Sequence, residues 1–188
     1  MSKIKKFGKY LLIAIIASLL FVLGKYFFLW SPIEVDHNLN KKTLFKDFNH
    51  QKQQYIVGGD SEEIKTNNFK VKTDSFSSES YIYSIQDNPL SLQIQIFTGD
   101  GYSGGGYNVE IINNRYKVSL YHYTDNPKPF DFMNEEYYKI IDSKVILNKD
   151  SYKKGDSIFG YTEFKIQKGY GPEKYFEQGE GYFKGIVN

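Results

Sequence analysis

The sequence predicts a mainly β protein in which an N-terminal transmembrane helix precedes a single antiparallel β-sandwich domain. Three observations lead there. An apolar run from Tyr10 to Trp30, interrupted only by Lys25 among charged residues, follows a lysine-rich start. Beyond it, residues alternate with a period of two, and long stretches with a 3.6-residue period are missing. The chain is also rich in aromatics, with 17 tyrosines and 15 phenylalanines, and carries scattered glycines, a composition that suits strands and turns.

The first element is the anchor. A helix needs roughly 20 apolar residues to cross the hydrocarbon core, and residues 10–31 supply them. Lys25 lies near the end, where its stem can carry the charge to the headgroups. Tyr26 and Trp30 suit the interface, and Pro32 favours a helix stop near Ser31. Residues 1–9 form a basic cytoplasmic tail whose Lys3, Lys5, Lys6 and Lys9 predict an N-in orientation. The alternative is a secretory signal cut after Gly24, with Val22 and Gly24 as its small residues. Lys25 and the bulky residues after it make an unusual mature N-terminus, so the uncleaved anchor is preferred. A lipid-modified N-terminus is excluded, because the chain has no cysteine. Abundant Lys, Asn, Ile and Tyr suggest an AT-rich bacterial genome, so the expected location is the bacterial cell membrane with the C-terminal domain extracytoplasmic.

Charge sharpens the reading. Of the 24 basic residues five precede Glu34, as do none of the 22 acidic ones, which leaves 19 basic against 22 acidic residues, a net of −3. The pI of about 8.4 therefore comes from the anchor and gives no support to nucleic-acid binding. Arg115 is the only arginine, and arginine dominates base and phosphate recognition. The expected partners are the membrane, through residues 10–31, and an envelope protein or glycan, with no nucleic acid, nucleotide or cofactor.

Residues 32–53 are expected to form a juxtamembrane linker or a short helix, with Leu44, Phe45 and Phe48 on one side and Asn40 as its cap. The sandwich then covers 54–188. Its clearest strand is Ser91 to Phe97, where Leu92, Ile94 and Ile96 alternate with Ser91, Gln93 and Gln95. A glycine-rich connection, Gly99 to Gly106, is expected next. Tyr107–Ile112 and Arg115–Tyr123 make a hairpin around Asn113-Asn114, residues that tolerate the left-handed backbone of a two-residue turn. That turn pairs Ile111 with Tyr116, Val109 with Val118 and Tyr107 with Leu120 on an apolar face. On the other face it pairs Glu110 with Lys117 and Asn108 with Ser119, and a one-residue slip would break both sets. Pro127 and Pro129 mark a loop over residues 126–136. Further strands are expected at 138–142, 144–147, 157–166 and 181–187, separated by turns at 148–156 and 169–172.

Tyr152-Lys153-Lys154-Gly155-Asp156, followed by Gly160, resembles the Tyr-x-x-Gly-Asp/Glu turn of immunoglobulin-like sandwiches, including macroglobulin-like and arrestin-like domains. The resemblance covers about twenty residues and implies a sandwich, immunoglobulin-like or similar. It transfers no functional residue.

Several constellations bear on function. Gly99-Asp100-Gly101-Tyr102-Ser103-Gly104 matches Gly-x-Gly-x-x-Gly, but it leads into a strand, whereas the dinucleotide motif opens a helix. Tyr121 and Tyr123 share the non-core face of their strand, with Tyr102 and Asp100 in the glycine segment nearby. These four form the candidate ligand-binding set, because tyrosine rings bring contact area at low entropy cost and stack on sugars. The competing reading is a second packed layer. His122 is a candidate general base for a hydrolase, with Asp100 or Asp125 beside it. A buried histidine bonded to a carbonyl or a tyrosine is the preferred alternative. Glu135-Glu136 and the pair Glu177 and Glu180 offer carboxylates for glycoside chemistry, although acidic loop residues are usually solvated. The expectation is a binding or protein-interaction module without catalytic activity. The alternatives are a carbohydrate or cell-wall binding module using the tyrosines, and an envelope hydrolase using His122.

Overall fold

The computed structural model describes residues 3–49, 66–73, 77–78, 81–99, 103–124, 137–170 and 173–188. Two compact units are present, Met1–Pro32 and Ile33–Asn188.

The first unit is one helix, α1 (Lys3–Leu29). Its segment Phe7–Leu29 is 23 residues long, has an apolar stretch with no residue buried, and is long and apolar enough to cross a membrane. At 1.5 Å per residue it measures about 34 Å, against a hydrocarbon core of about 30 Å. The Trp30 amide closes the last turn on the Tyr26 carbonyl at 3.1 Å. The chain then becomes extended at β1 (Ser31–Pro32), as expected of a residue preceding proline.

The second unit is built from two sheets. One runs β8-β7-β6-β5, formed from β5 (Ile82–Asn88), β6 (Ser91–Gly99), β7 (Ser103–Ile112) and β8 (Arg115–Thr124), all antiparallel neighbours. The other runs β2-β9-β10-β11-β3-β4. Its members are β2 (Glu34–Val35), β3 (Lys70–Thr73), β4 (Ser77–Ser78), β9 (Tyr137–Leu147), β10 (Ser157–Tyr170) and β11 (Glu173–Ile186). Only β2, which runs parallel to the end of β9, departs from the antiparallel pattern.

The β7–β8 hairpin has the register read from the sequence, from Ile112↔Arg115 to Ser103↔Thr124. Asn113 and Asn114 take positive φ values of 47° and 61°, the twist a two-residue turn needs between right-twisted strands. Tyr107, Val109, Ile111, Tyr116 and Val118 are buried on the inner face, and Leu120 is half-buried.

One core joins the sheets. Ile85, Ile94, Ile96, Val109 and Val118 from the first sheet pack with Val71, Val145, Leu147, Ile158, Phe164, Ile166 and Phe183 from the second, with Phe69 at the centre of several ring contacts. A smaller core lies on the outer face of the second sheet. There Leu39, Phe45 and Phe48 pack on Ile146, Phe159 and Tyr182, and Lys184 Nζ donates to the Phe45 and Phe48 carbonyls at 3.2 and 2.8 Å.

Four expectations change. The glycine-rich segment is strand from Ser103 onward: Gly104, Gly105 and Gly106 pair with both β6 and β8. The missing side chains are what permit it, since a Cβ on Gly106 would strike the Ile96 carbonyl oxygen and lie 2.7 Å from the Phe97 Cα. The short helix near residue 40 is two 3₁₀ turns, Leu39–Lys41 and Thr43–Lys46, with Asn38 in the N-cap position; residues 50–55 lie outside those described. The strands at 138–142 and 144–147 are one strand, β9, with Ile141 unpaired in a bulge opposite Lys165/Ile166. β10 runs on to Tyr170, past its expected end at Ile166, β11 starts at Glu173, well before its expected start at Gly181, and β2, β3, β4 and β5 are additional to the expected strands.

The Tyr152 turn is closed by side chains. The Tyr152 hydroxyl donates to Asn148 Oδ1 at 2.8 Å and accepts from the Lys149 amide at 3.0 Å. The Asp156 amide reaches the Lys153 carbonyl at 2.9 Å, and Gly155 takes φ +91°, the left-handed residue of that turn.

Candidate functional site

Ladder pairing fixes which side chains share a face. Directly opposed residues in an antiparallel pair point the same way. The outer face of the first sheet therefore carries the rows Gln93–Glu110–Lys117, Gln95–Asn108–Ser119, Phe97–Gly106–Tyr121 and Gly99–Gly104–Tyr123. Tyr121 and Tyr123 lie two residues apart on that face, both half-buried. The Tyr123 hydroxyl lies over the glycines: a Cβ on Gly104 would sit 2.7 Å from it and one on Gly99 2.5 Å. Tyr121 is beside Gly106, next to the buried Phe97. The arrangement is a pair of rings bordering amide and hydroxyl side chains. Tyr102 and Asp100 lie outside the described residues.

His122 is on the opposite face, paired with Gly105, and is exposed. This corrects the expectation of a buried, carbonyl-bonded histidine. Its strand position continues the Tyr116–Val118–Leu120 series, but it lies beyond the end of the apolar core. Among the described residues it makes no hydrogen bond or ion pair; Asp100 and Asp125 are outside them. His37 Nδ1 lies 3.3 Å from the Asn148 carbonyl oxygen. No group of three His, Cys, Asp or Glu side chains among the described residues could hold a metal ion.

Glu177 and Glu180, paired in the sequence reading, are on opposite faces of β11. Glu180 is exposed and lies 3.4 Å from the Tyr161 hydroxyl. Glu177 is only 6 % exposed and points into the core. There the Tyr107 hydroxyl donates to its Oε1, and Lys168 Nζ lies 3.0 Å from its Oε2. Tyr107 comes from the first sheet and the other two from the second, so this polar cluster ties the sheets together. Burial, followed by the adjacent Glu177 charge, drives the Tyr107 pKa far above the ordinary tyrosine value and keeps its proton in place as a donor. A second cross-sheet contact joins the Tyr83 and Thr162 hydroxyls at 2.9 Å, and burial raises the Tyr83 pKa too. Sequence reading missed this cluster. The available signal was phase: Glu177 continues the period-two series of Gly179, Gly181 and Phe183.

An open cleft of about 400 Å³ lies at the other end of the first sheet, between the Pro89-Leu90 and Asn113-Asn114 turns, with Asp87, Asp150 and Tyr152 in its lining. Neither Tyr121, Tyr123 nor His122 lines it.

Comparison with protein-family models, curated proteins and solved structures finds no match to this chain.

Proposed function

We propose that the chain is a membrane-anchored, extracytoplasmic β-sandwich module that binds a protein partner at the bacterial envelope and performs no chemistry. In this reading Phe7–Leu29 spans the bilayer, the N-terminal lysines stay in the cytoplasm, and the two sheets form the sandwich outside. The observation that carries it is a set of exposed apolar side chains toward the free end of the β9–β10–β11 sheet. Tyr137 and Phe176 lie in adjacent rows of its outer face and are 43 % and 45 % exposed, and grouped exposed apolar side chains mark interaction sites. Crosslinking the full chain in intact cells, followed by mass spectrometry of what co-purifies, tests it. A reproducible envelope-protein partner is expected. Recovery of no protein partner would refute the reading.

A second reading rests on the outer-face ring pair. Tyr121 and Tyr123, beside Gln95, Asn108 and Ser119, support glycan binding, with Tyr102 and Asp100 as further members of the set. Replacing the three tyrosines by alanine should then abolish glycan retention while the thermal transition persists. Unchanged retention would exclude it.

A further inference from the structure

The outer face of the second sheet segregates charge. Its rows, from the free end inward, are Tyr137–Gly169–Lys174, Lys139–Gln167–Phe176 and Asp142–Lys165–Gln178–Lys72. Lys72, Lys139, Lys165 and Lys174 are all exposed. Against these four lysines the rows hold one carboxylate, Asp142. Chance would not favour this, because the chain beyond Ile33 carries 19 basic against 22 acidic residues. Lys165 Nζ sits 5.6 Å from the centre of the Phe176 ring, and Lys72, Lys139 and Lys174 form no ion pair among the described residues. Farther along the same face the excess ends: the next row, Lys144–Glu163–Glu180–Lys70, holds two lysines and two carboxylates, Glu163 and Glu180 flank the Tyr161 hydroxyl at 3.1 and 3.4 Å, and Lys144 is paired with Glu34 at 3.1 Å. Beyond that, Leu39, Phe45 and Phe48 cover the sheet.

We infer that these three rows are the docking surface of the interaction module and that its occupant is an acidic, extended segment of a partner protein. The inference rests on the protein-binding reading above and names the partner's chemistry. Each feature of the patch has a counterpart in such a segment. The lysines match its carboxylates, Gln167 and Gln178 offer amides to its backbone, and Tyr137 and Phe176 offer apolar contact. With strands about 4.8 Å apart and about 3.3 Å per residue, the rows span roughly 14 by 14 Å, room for a strand of about four or five residues. A flat anionic bilayer fits less well. It would extend over the next row, where Glu163 and Glu180 offset Lys144 and Lys70 and would meet like charge, whereas a peptide can end at the third row.

The test uses the full chain in neutral detergent micelles and two fluorescein-labelled decapeptides, one alternating glutamate and leucine, the other glutamine and leucine. Fluorescence anisotropy should show the glutamate peptide binding at least about tenfold more tightly, with the difference shrinking as salt rises through the range where the Debye length falls below about 5 Å. The double variant Lys139→Glu/Lys174→Glu should lose binding, and Phe176→Ala should weaken it. Lys139 and Lys174 are exposed and form no ion pair among the described residues, so an unchanged thermal transition verifies folding. Equal binding of the two peptides, or full binding by the double variant, would overturn the proposal. So would binding of anionic-lipid vesicles through the same lysines in place of the peptide. Repeating the cell crosslinking with the double variant separates the two claims. A partner retained by the variant refutes this surface and leaves the module reading standing, whereas a wild-type chain without any partner refutes the module reading.

Discussion

Removing the cation from the buried cluster gives the sharpest test of how the two sheets are held. The side chains of Glu177 and Lys168 are only 8 % and 17 % exposed, and the charged atoms lie 3.0 Å apart. Lys168→Met keeps most of the stem's packing but leaves a carboxylate in the core with the Tyr107 hydroxyl as its remaining partner. An uncompensated buried charge costs about 3–5 kcal/mol, a large share of a total stability of about 5–15 kcal/mol. Tyr107→Phe removes one hydrogen bond to a charged acceptor, a loss of about 1.5–3 kcal/mol. The triple replacement Tyr107→Phe/Lys168→Met/Glu177→Leu removes every polar partner at once. It should recover most of the loss, because burying a matched ion pair has little net benefit over apolar packing. Urea unfolding of the detergent-solubilised chain, followed by near-ultraviolet circular dichroism, measures each step. The expected signature is non-additivity: the single variants are damaging and the triple is close to wild type. If Lys168→Met costs no more than about 1 kcal/mol, the pair behaves as a solvated surface contact and the reasoning fails.

Alkaline titration tests the buried phenols. Tyr83 and Tyr107 have folded pKa values raised above the ordinary tyrosine value of about 10. Below that value their contribution to stability is fully present. As pH rises past it, the unfolded chain loses protons that the folded chain keeps, so stability falls. Absorbance near 295 nm should show these phenols ionising only together with unfolding, and early reversible ionisation of all tyrosines would contradict their burial. Gly155→Ala puts a Cβ on a residue at φ +91° and should cost about 1–2 kcal/mol, read as a lowered melting temperature. Phe164→Ala empties a fully buried site and should cost about 3–5 kcal/mol in the same melt.

The β7–β8 hairpin was legible because three constraints agreed on one register: asparagines suited to the turn, apolar pairs on one face and a Glu–Lys pair on the other. The apolar helix was legible from length and composition alone. The glycine segment was not, since glycine signals a turn locally, while here the bare backbone makes room for Tyr123 above and for the Ile96 carbonyl alongside. The same ambiguity hid the first half of β11. Its inward positions are Glu177, Gly179 and Gly181, none of which gives an apolar period, yet a Cβ on Gly181 would lie 2.7 Å from the Phe69 nitrogen. In β5 only Tyr83 and Ile85 mark the inner face, too few positions to reveal a strand. The ring pair at Tyr121 and Tyr123 followed from period two. The lysine-rich rows did not, because they gather residues from four strands whose pairing is set by tertiary packing.

The bulge at Ile141 also shapes how the molecule behaves in company. Among the described residues, β9 is paired on its outer side only where β2 meets Ile146 and Leu147, so within that set the stretch starting at Tyr137 is a sheet edge. An unpaired residue in mid-strand breaks the even spacing of the backbone groups and increases the local twist. A second polypeptide laid along this edge in regular register would lose its hydrogen bonds at Ile141 and have to start again on the far side. The bulge thus acts as a built-in interruption against runaway strand addition, and replacing it with regular pairing would be expected to raise the protein's tendency to self-associate.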